Sequence, residues 1–339
     1  MPDNSVPSIT VLILSFNGKH HLVQHLDSVL ATDYDNFRVT VIDNGSTDGS
    51  LEFLEEKYRQ IEVVRHKHNY GFAVAYNKVI NSIDTEYFVL LNNDVSVDPD
   101  WLKILVSHAK GKETAALTPK MLFYHNKRRI NAAGGNCDLY GTGWNRGNNE
   151  IDNGQYDKLE EAFYGNGAAL LVSKQAWRDV GPFDERYFMY GEDLDWCWRA
   201  RLKGYKILYV PSSKVYHCWL GSKGSVFYFL ERHCLSNVLK NYSLKTLFKI
   251  TPKYLAIRLL KTFWVLKNAG CCDKLSVLKA VWWNMKNLMK TWEKRMQIQT
   301  SRSVPDADIQ RLMLKNSFEL LLGLKKTSHP IMKAVWRDY

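Results

Sequence analysis

Six cysteines in 339 residues form no Cys-x-x-Cys pair, and apart from the adjacent Cys271 and Cys272 they lie far from one another. That spacing suits reduced thiols in a cytosolic protein better than a disulfide framework or a zinc site. No stretch approaches the ~18 uncharged apolar residues of a membrane span. The segment MPDNSVPSITVLILSFNG lacks a basic n-region, and its apolar run at 9–14 is too short for a signal h-region. Neither low-complexity tracts nor internal repeats interrupt the chain. Also lacking are G-x-G-x-x-G and G-x-x-x-x-G-K-[ST], so the usual dinucleotide fold and the phosphate loop are excluded. A bound nucleotide must then be held mostly by side chains and a metal.

What is present has the composition of a globular protein, 45% hydrophobic and 24% charged, long enough for one large domain or two. The net charge of +11 has one source: thirteen Lys/Arg stand against two acids between residues 240 and 295, and the rest of the chain carries 33 of each sign. Any partner the basicity implies belongs to that region.

The first hundred residues alternate between two periodicities. Residues 8–14 (SITVLIL) form a β-branched strand, and SFNG turns into a helix over about 19–31 with Leu22, Leu26, Val29 and Leu30 at helical spacing. Strands at 37–42, 61–65 and 87–91 and helices at about 51–58 and 72–83 complete right-handed βαβ units around a parallel sheet. Every strand ends in polar residues: Ser15 and Asn17, then Asp43, Asn44 and Asp48, then Asn69 and Gly71, then Asn92, Asn93 and Asp94. One such cluster is turn chemistry, whereas four on the same edge of one sheet make a site. A carboxylate at the end of such an apolar strand can hold a hard divalent cation while the cation grips phosphate oxygens.

SITVLILSFNG, VIDNGSTDGS, NYGFAVAYN and VLLNNDV, in this order, resemble the nucleotide-sugar-binding half of family 2 glycosyltransferases, most of all the rhamnosyltransferase-like branch that carries Asn-Asn-Asp where others carry Asp-x-Asp. The resemblance covers roughly residues 7–235. It implies an α/β GT-A fold, a Rossmann-like, mixed and mainly parallel sheet flanked by helices. Its nucleotide-sugar half would span about 1–120 and its acceptor half about 121–235, within a catalytic domain at 1–235. The resemblance implies that Asp43 accepts hydrogen bonds from the donor's pyrimidine base, with Asn44 and Asp48 shaping the pocket. Ser15, Asn17, Asn69, Gly71, Asn92 and Asn93 would line the rest of the donor site. By residue type alone Asp48 fits an Asx-type turn before a helix, and Asn69 and Gly71 fit a simple turn.

Asp94 is assigned to the metal, and oxygen ligands point to Mg²⁺ or Mn²⁺. Asn92 replaces the first carboxylate of Asp-x-Asp, which removes one charge from the metal site. Some relatives place a metal-binding histidine after the catalytic helix, and the matching residue is His217, at the end of a strand-like KVYH. On its own a lone histidine reads as a satisfied core or surface residue. Further along, YFMYG precedes Glu192, Asp193 and Asp195 at the start of a helix stopped by Gly204. Carboxylates there suit the helix dipole by ~0.3–1 kcal/mol, and crowding also raises at least one of their pKa values. The resemblance implies that an aspartate of this Glu-Asp pair deprotonates the acceptor hydroxyl, and the matching position is Asp193. Glu192 is expected beside it, facing acceptor or metal. Asp195 supports the site or binds acceptor, and Trp196 is grouped with it at a helical position suited to packing. The implied reaction is an inverting displacement that needs no enzyme nucleophile.

Residues 236–339 read as a helical, basic region in which Lys and Arg recur among Leu, Ile, Phe and Trp, the signature of amphipathic helices in a membrane interface. Trp282, Trp283 and Trp292 suit headgroup depth, and anionic lipid attracts at ~1 kcal/mol per surface Lys/Arg. The other reading packs the apolar faces on the catalytic domain or a second subunit. Nothing resembles a nucleic-acid-binding motif, so no nucleic-acid partner is expected. A Val-Pro-Asp-Ala-Asp signal at 304–308 starts a short helix. The expectation is a transferase on the inner face of the cell membrane, building surface polysaccharide from dTDP-rhamnose or a UDP-sugar on a glycan or polyprenyl-diphosphate-linked acceptor. The alternative is a non-catalytic sugar-nucleotide or glycan-binding protein on the same fold, which would have no use for a base at position 193.

Overall fold

The computed structural model describes residues 6–109, 111–219, 226–268 and 275–315. The expected alternation is present: β1 (Ile9–Ser15), α1 (Lys19–Leu30), β2 (Phe37–Asp43), α2 (Ser50–Lys57), β3 (Glu62–Arg65), α3 (Gly71–Ile80) and β4 (Tyr87–Asn92). The second half adds β5 (Val95–Val97), α4 (Trp101–Ser107), β6 (Thr114–Phe123), β7 (Asn126–Ala132), β8 (Gly135–Cys137), β9 (Gly143–Asn145), β10 (Glu160–Glu161), β11 (Ala169–Ser173), α5 (Lys174–Val180), α6 (Glu192–Leu202) and β12 (Lys206–His217). The sheet runs β10-β12-β6-β11-β4-β1-β2-β3, with β5 on β12 and β7 on β6. β1, β2, β3 and β4 are parallel, whereas β11 inserts antiparallel beside β4.

The apolar runs of β1 and β4 are explained by burial on both faces. Val11, Ile13, Val89 and Leu91 pack under α1 and α4, while Leu12, Phe88 and Leu90 meet α3 and α6. At about 1.5–3 kcal/mol per fully buried large aliphatic side chain, these central strands carry the stability and leave their ends available for function. The parallel register lines those ends up, Ser15 opposite Asp43 and Leu14 opposite Asn92.

Two features differ from the sequence reading. The stretch at 134–154, irregular by composition, contains the small hairpin β8–β9. The strand-like KVYH is the end of a longer strand, β12, whose register shifts between Val210 and Lys214. Beyond that shift β12 turns antiparallel to β5, and His217 comes opposite Val95.

Among the described residues five helices follow: α7 (Val226–Asn241), α8 (Leu244–Asn268), α9 (Ser276–Lys286), α10 (Leu288–Ser301) and α11 (Asp306–Arg311). Val238, Tyr242, Ile250, Tyr254, Ile309 and Met313 belong to the same core as Trp196 and Trp198 of α6, so part of the apolar surface packs on the α/β unit. The boundary expected at 235/236 falls inside α7. Basic residues divide in the same way. Lys240, Arg258 and Arg295 are buried, and Arg295 donates to the carbonyls of Leu239 and Tyr242 at 2.6 and 2.7 Å. Trp283 is half-buried under the Arg232 guanidinium, 4.3 Å from its ring, whereas Trp282 and Trp292 are exposed. Among the described residues no helix is long and apolar enough to cross a membrane. Cys271, Cys272 and the tail beyond 315 lie outside the described residues.

Candidate active site

The ends of β1–β3 are tied together by side chains that accept backbone hydrogen bonds. Asn17, at φ 48°, accepts from the Thr47 amide (2.8 Å), and its own amide donates to Ser46 Oγ (2.9 Å). Asp48 accepts from the amides of Lys19 (2.9 Å) and Ser50 (3.1 Å), so its carboxylate closes the turn expected for it and joins the start of α1. Asn44, almost fully buried, bridges Asn69 and the Gly71 carbonyl through Nδ2 and accepts from the Tyr70 amide. Asn69 in turn accepts from the Gly71 amide at 2.8 Å. Gly71 has φ 76°, and an added Cβ would lie 2.3 Å from the Phe188 carbonyl oxygen. What approaches closely at this glycine is therefore the loop before α6.

Asp43 does two things at once. Its Oδ2 accepts from the amides of Gly45 and Ser46 (3.2 Å each), the turn role that residue type suggested more for Asp48. Its Oδ1 is buried with no hydrogen-bond partner among the described residues. A buried acceptor in that state costs about 1–3 kcal/mol unless a ligand donor meets it.

At the end of β4, Asn93 Nδ2 donates to Ser15 Oγ (2.9 Å), and the Asn92 amide donates to the Ala168 carbonyl (3.0 Å). Asp94 Oδ1 lies 3.3 Å from His217 Nε2, brought there by the β5–β12 pairing. Both atoms are buried, and neither has an aligned hydrogen-bond partner among the described residues. On the far side of the ring His217 Nδ1 is 3.1 Å from Asn131 Oδ1, and in the tautomer that donates there Nε2 presents a lone pair to the carboxylate. Two such lone pairs facing each other call for a proton or a metal cation between them, and a carbonyl oxygen on the opposite imidazole nitrogen is the usual companion of a metal-bound histidine. Asp94 and His217 thus fit a divalent cation. Where a proton bridges the pair, burial pushes the Asp94 carboxyl up, but the charged His217 and then His21 outweigh it and hold the carboxyl below its ordinary value.

The acidic trio of α6 separates into different environments. Gly191, with φ 85°, starts the helix, and the preceding Tyr190 is also left-handed at φ 65°. Such backbone in a non-glycine residue costs of order 1–3 kcal/mol and persists where surrounding contacts impose it. Here Tyr190 O accepts from His233 Nδ1, and the His233 ring stacks on Tyr187 at 3.9 Å. Asp193 Oδ2 accepts from the Gly167 amide (3.0 Å), one residue from the Ala168 carbonyl that pairs with Asn92. Through that pairing the structure brings Asp193 to the same end of the sheet as Asp94. Burial raises the Asp193 carboxyl, against the opposing amides of Gly167 and Leu194. Glu192, 4% exposed, is raised well above its ordinary value by burial and then by Asp193, and its Oε2 has no hydrogen-bond partner among the described residues.

Asp195 and Trp196 turn away from the site. Asp195 is fully buried and is bound by Arg199 (3.0 Å), Lys240 (3.1 Å) and Asn241 (3.2 Å), so of its two expected roles only support fits. Trp196 is 1% exposed, donates to the Gly181 carbonyl (3.0 Å) and stacks on Trp177, which places it in the core and away from an acceptor. Sequence reasoning missed Asn131 and the Lys240 bridge. Both are single residues whose meaning depends on partners 86 and 45–56 positions away.

A mainly parallel sheet with polar strand ends, a carboxylate–histidine pair and a helix that opens on carboxylates beside them is the architecture of the GT-A fold. The solved structures agree on that fold. GalNAc-T7 with UDP, GalNAc and Mn²⁺ superposes with a TM-score of 0.59 at 16% identity, over 84% of this chain and 58% of that one. Staphylococcus aureus TarS 1-349 in complex with UDP-GlcNAc gives 0.55 at 16% identity, over 98% and 89%. The Pyrobaculum calidifontis mannosyltransferase PcManGT with GDP-Man and Mn²⁺ gives 0.51 at 13% identity, over 88% and 86%. Residues 10–174 match the model of glycosyl transferase family 2, and this region is a family 2 glycosyltransferase domain. It is 28% identical over 232 residues to the N-acetylglucosaminyl-diphospho-decaprenol L-rhamnosyltransferase of Mycobacterium tuberculosis, covering 62% of this chain and 75% of that protein. It is also 30% identical over 194 residues to the pre-mycofactocin glycosyltransferase of the same species, covering 56% of this chain but only 39% of the relative.

Proposed function

We propose that the chain is an inverting, metal-assisted transferase that moves a sugar from dTDP-rhamnose or a UDP-sugar to a hydroxyl of a glycan or polyprenyl-diphosphate-linked acceptor, in cell-surface polysaccharide synthesis. The observation that carries it is the Asp94–His217 pair standing at the same end of the sheet as the Asp193–Gly167 contact. Asp193 takes the acceptor hydroxyl's proton, and the Gly167 amide holds the carboxylate in place. The acceptor oxygen then bonds the anomeric carbon as the bond from that carbon to the diphosphate oxygen breaks on the opposite side, and configuration inverts. Asp43 Oδ1 is free to accept the imide N–H of uracil or thymine. Asp94 and His217 would hold Mg²⁺ or Mn²⁺, which when bound neutralises the departing diphosphate. The Mn²⁺ in two of the similar structures supports that choice of ion.

The polyprenyl-linked acceptor is supported by the relative named for its decaprenol-linked substrate. A peripheral position on the inner membrane face is supported by Phe248, Phe263, Trp282, Met289 and Trp292, all exposed on α8–α10 amid Lys245, Lys249, Lys286 and Lys290. The direct test is donor hydrolysis and transfer across a panel of nucleotide sugars with Mg²⁺ or Mn²⁺. The reading predicts turnover with a pyrimidine-linked donor, and retention of configuration in the product would overturn it.

A further inference from the structure

We propose a second metal site, for a borderline-soft ion such as Zn²⁺, formed by His21, His25 and Cys218 beside the Asp94–His217 pair. His21 and His25 stand one turn apart on α1, and Cys218 directly follows β12. One ligand atom from each of the three lies within 4.8 Å of the others. His21 Nδ1 and His25 Nε2 are buried with no hydrogen-bond partner among the described residues, and His25 and Cys218 are 1% and 4% exposed. Leaving two imidazole nitrogens buried and unpaired is destabilising, a penalty that a shared cation removes.

The surroundings orient these groups as ligands. His25 Nδ1 lies 2.7 Å from Ser96 Oγ, and donating there turns the Nε2 lone pair toward the cluster. The edge of Tyr124 against the ring, with centroids 4.8 Å apart, fixes its plane. Burial lowers the pKa of both histidines, His25 to about 4, so both are neutral ligands at neutral pH. His125 Nε2 sits 3.0 Å from Cys218 Sγ on the exposed side. Tetrahedral zinc, with Zn–N ~2.0–2.1 Å and Zn–S ~2.3 Å, needs ligand atoms about 3.3–3.7 Å apart, a contraction within reach of small side-chain rotations. Two nitrogens and a sulfur select a different ion from the carboxylate and phosphate oxygens of the neighbouring site. The ion would clamp α1 to the end of β12, next to His217. The ligands come from positions nearly 200 residues apart, so cysteine spacing carried no sign of them.

The test uses the full chain, stripped with a chelator and titrated with Zn²⁺ or Co²⁺ in excess Mg²⁺. One tightly held equivalent of Zn²⁺ is expected, and Co²⁺ should give a sulfur-to-cobalt charge-transfer band that Cys218→Ser abolishes. His21→Gln, at the half-exposed ligand, should keep the fold by circular dichroism while weakening Zn²⁺ binding about tenfold or more. Asp94→Asn should leave the cobalt band in place. A folded wild-type chain without that band, wild-type affinity in His21→Gln, or loss of the band in Asp94→Asn would each overturn the proposal. None of these readouts depends on the transferase reading.

Discussion

Asp193 and Glu192 are adjacent carboxylates whose environments assign them different work. Asp193 keeps two amide donors and reaches the sheet end, and Glu192 is sealed beside it with an unmet oxygen. Asp193→Asn should lower kcat by about 10²–10⁴-fold with little change in donor affinity, measured by turnover and by donor titration. Because burial raises the Asp193 carboxyl, the acid limb of the wild-type kcat profile should lie above the ordinary ~3.9 of an aspartate, with activity gained as pH rises through it. Glu192 links stability to pH with the opposite sign. Its folded-state pKa is raised, so its contribution is full below the unfolded value near ~4.3 and is lost as pH rises through the folded value. Glu192→Gln should flatten that fall in denaturant midpoint against pH. At the metal pair, Asn131→Ala removes the acceptor that orients His217, and the Mn²⁺ concentration for half-maximal activity should rise about 10–100-fold.

Between elements, the contact that matters most is the one from α7 to α6. Lys240 Nζ lies 2.8 Å from Asp184 and 3.1 Å from Asp195, all three almost fully buried, and Arg186 also binds Asp184. Burial would raise both aspartates, but Lys240 leads the groups that hold each below its ordinary value. Asp184 lies in the loop that leads to Tyr190, and Asp195 is on the first turn of α6, so this lysine fixes the platform under Asp193. Lys240→Met leaves two buried carboxylates without their main partner and should cost about 3–5 kcal/mol in urea unfolding. Adding Asp184→Asn should recover part of that loss. A surface lysine, which the basic composition of this segment alone suggested, would cost almost nothing to replace.

At the scale of the whole molecule, the C-terminal helices are compatible with both readings considered for them. One face belongs to the core around Trp196 and Trp198, and the opposite face leaves Phe248, Leu259, Trp282, Met289 and Trp292 exposed. Vesicles containing anionic lipid should bind the chain in a salt-dependent way, and neutral vesicles much less. Replacing Phe248, Trp282, Met289 and Trp292 together by Ser should reduce binding in a co-sedimentation assay without moving the melting temperature, because none of the four is buried. Undiminished binding by that variant would place the lipid contact elsewhere.

The amino-acid order by itself determined the βαβ half, because apolar runs of strand length bounded by polar turns permit only a doubly covered parallel sheet, with Asp43 and Asp94 at its working edge. It also placed Ser173 and Gly181 at the two ends of α5, where the Ser173 side chain accepts from the Ala176 amide. Local chemistry of that kind is legible because both partners lie within a few residues. Only the tertiary structure decided which lysine is buried, that Asp195 and Trp196 face the core, and that His217 meets Asp94. The last depends on a register shift in β12 and on pairing with a three-residue strand, neither of which leaves a periodic trace in the sequence. Long-range pairing of single polar residues is set by how the sheet closes, and only the folded chain expresses it.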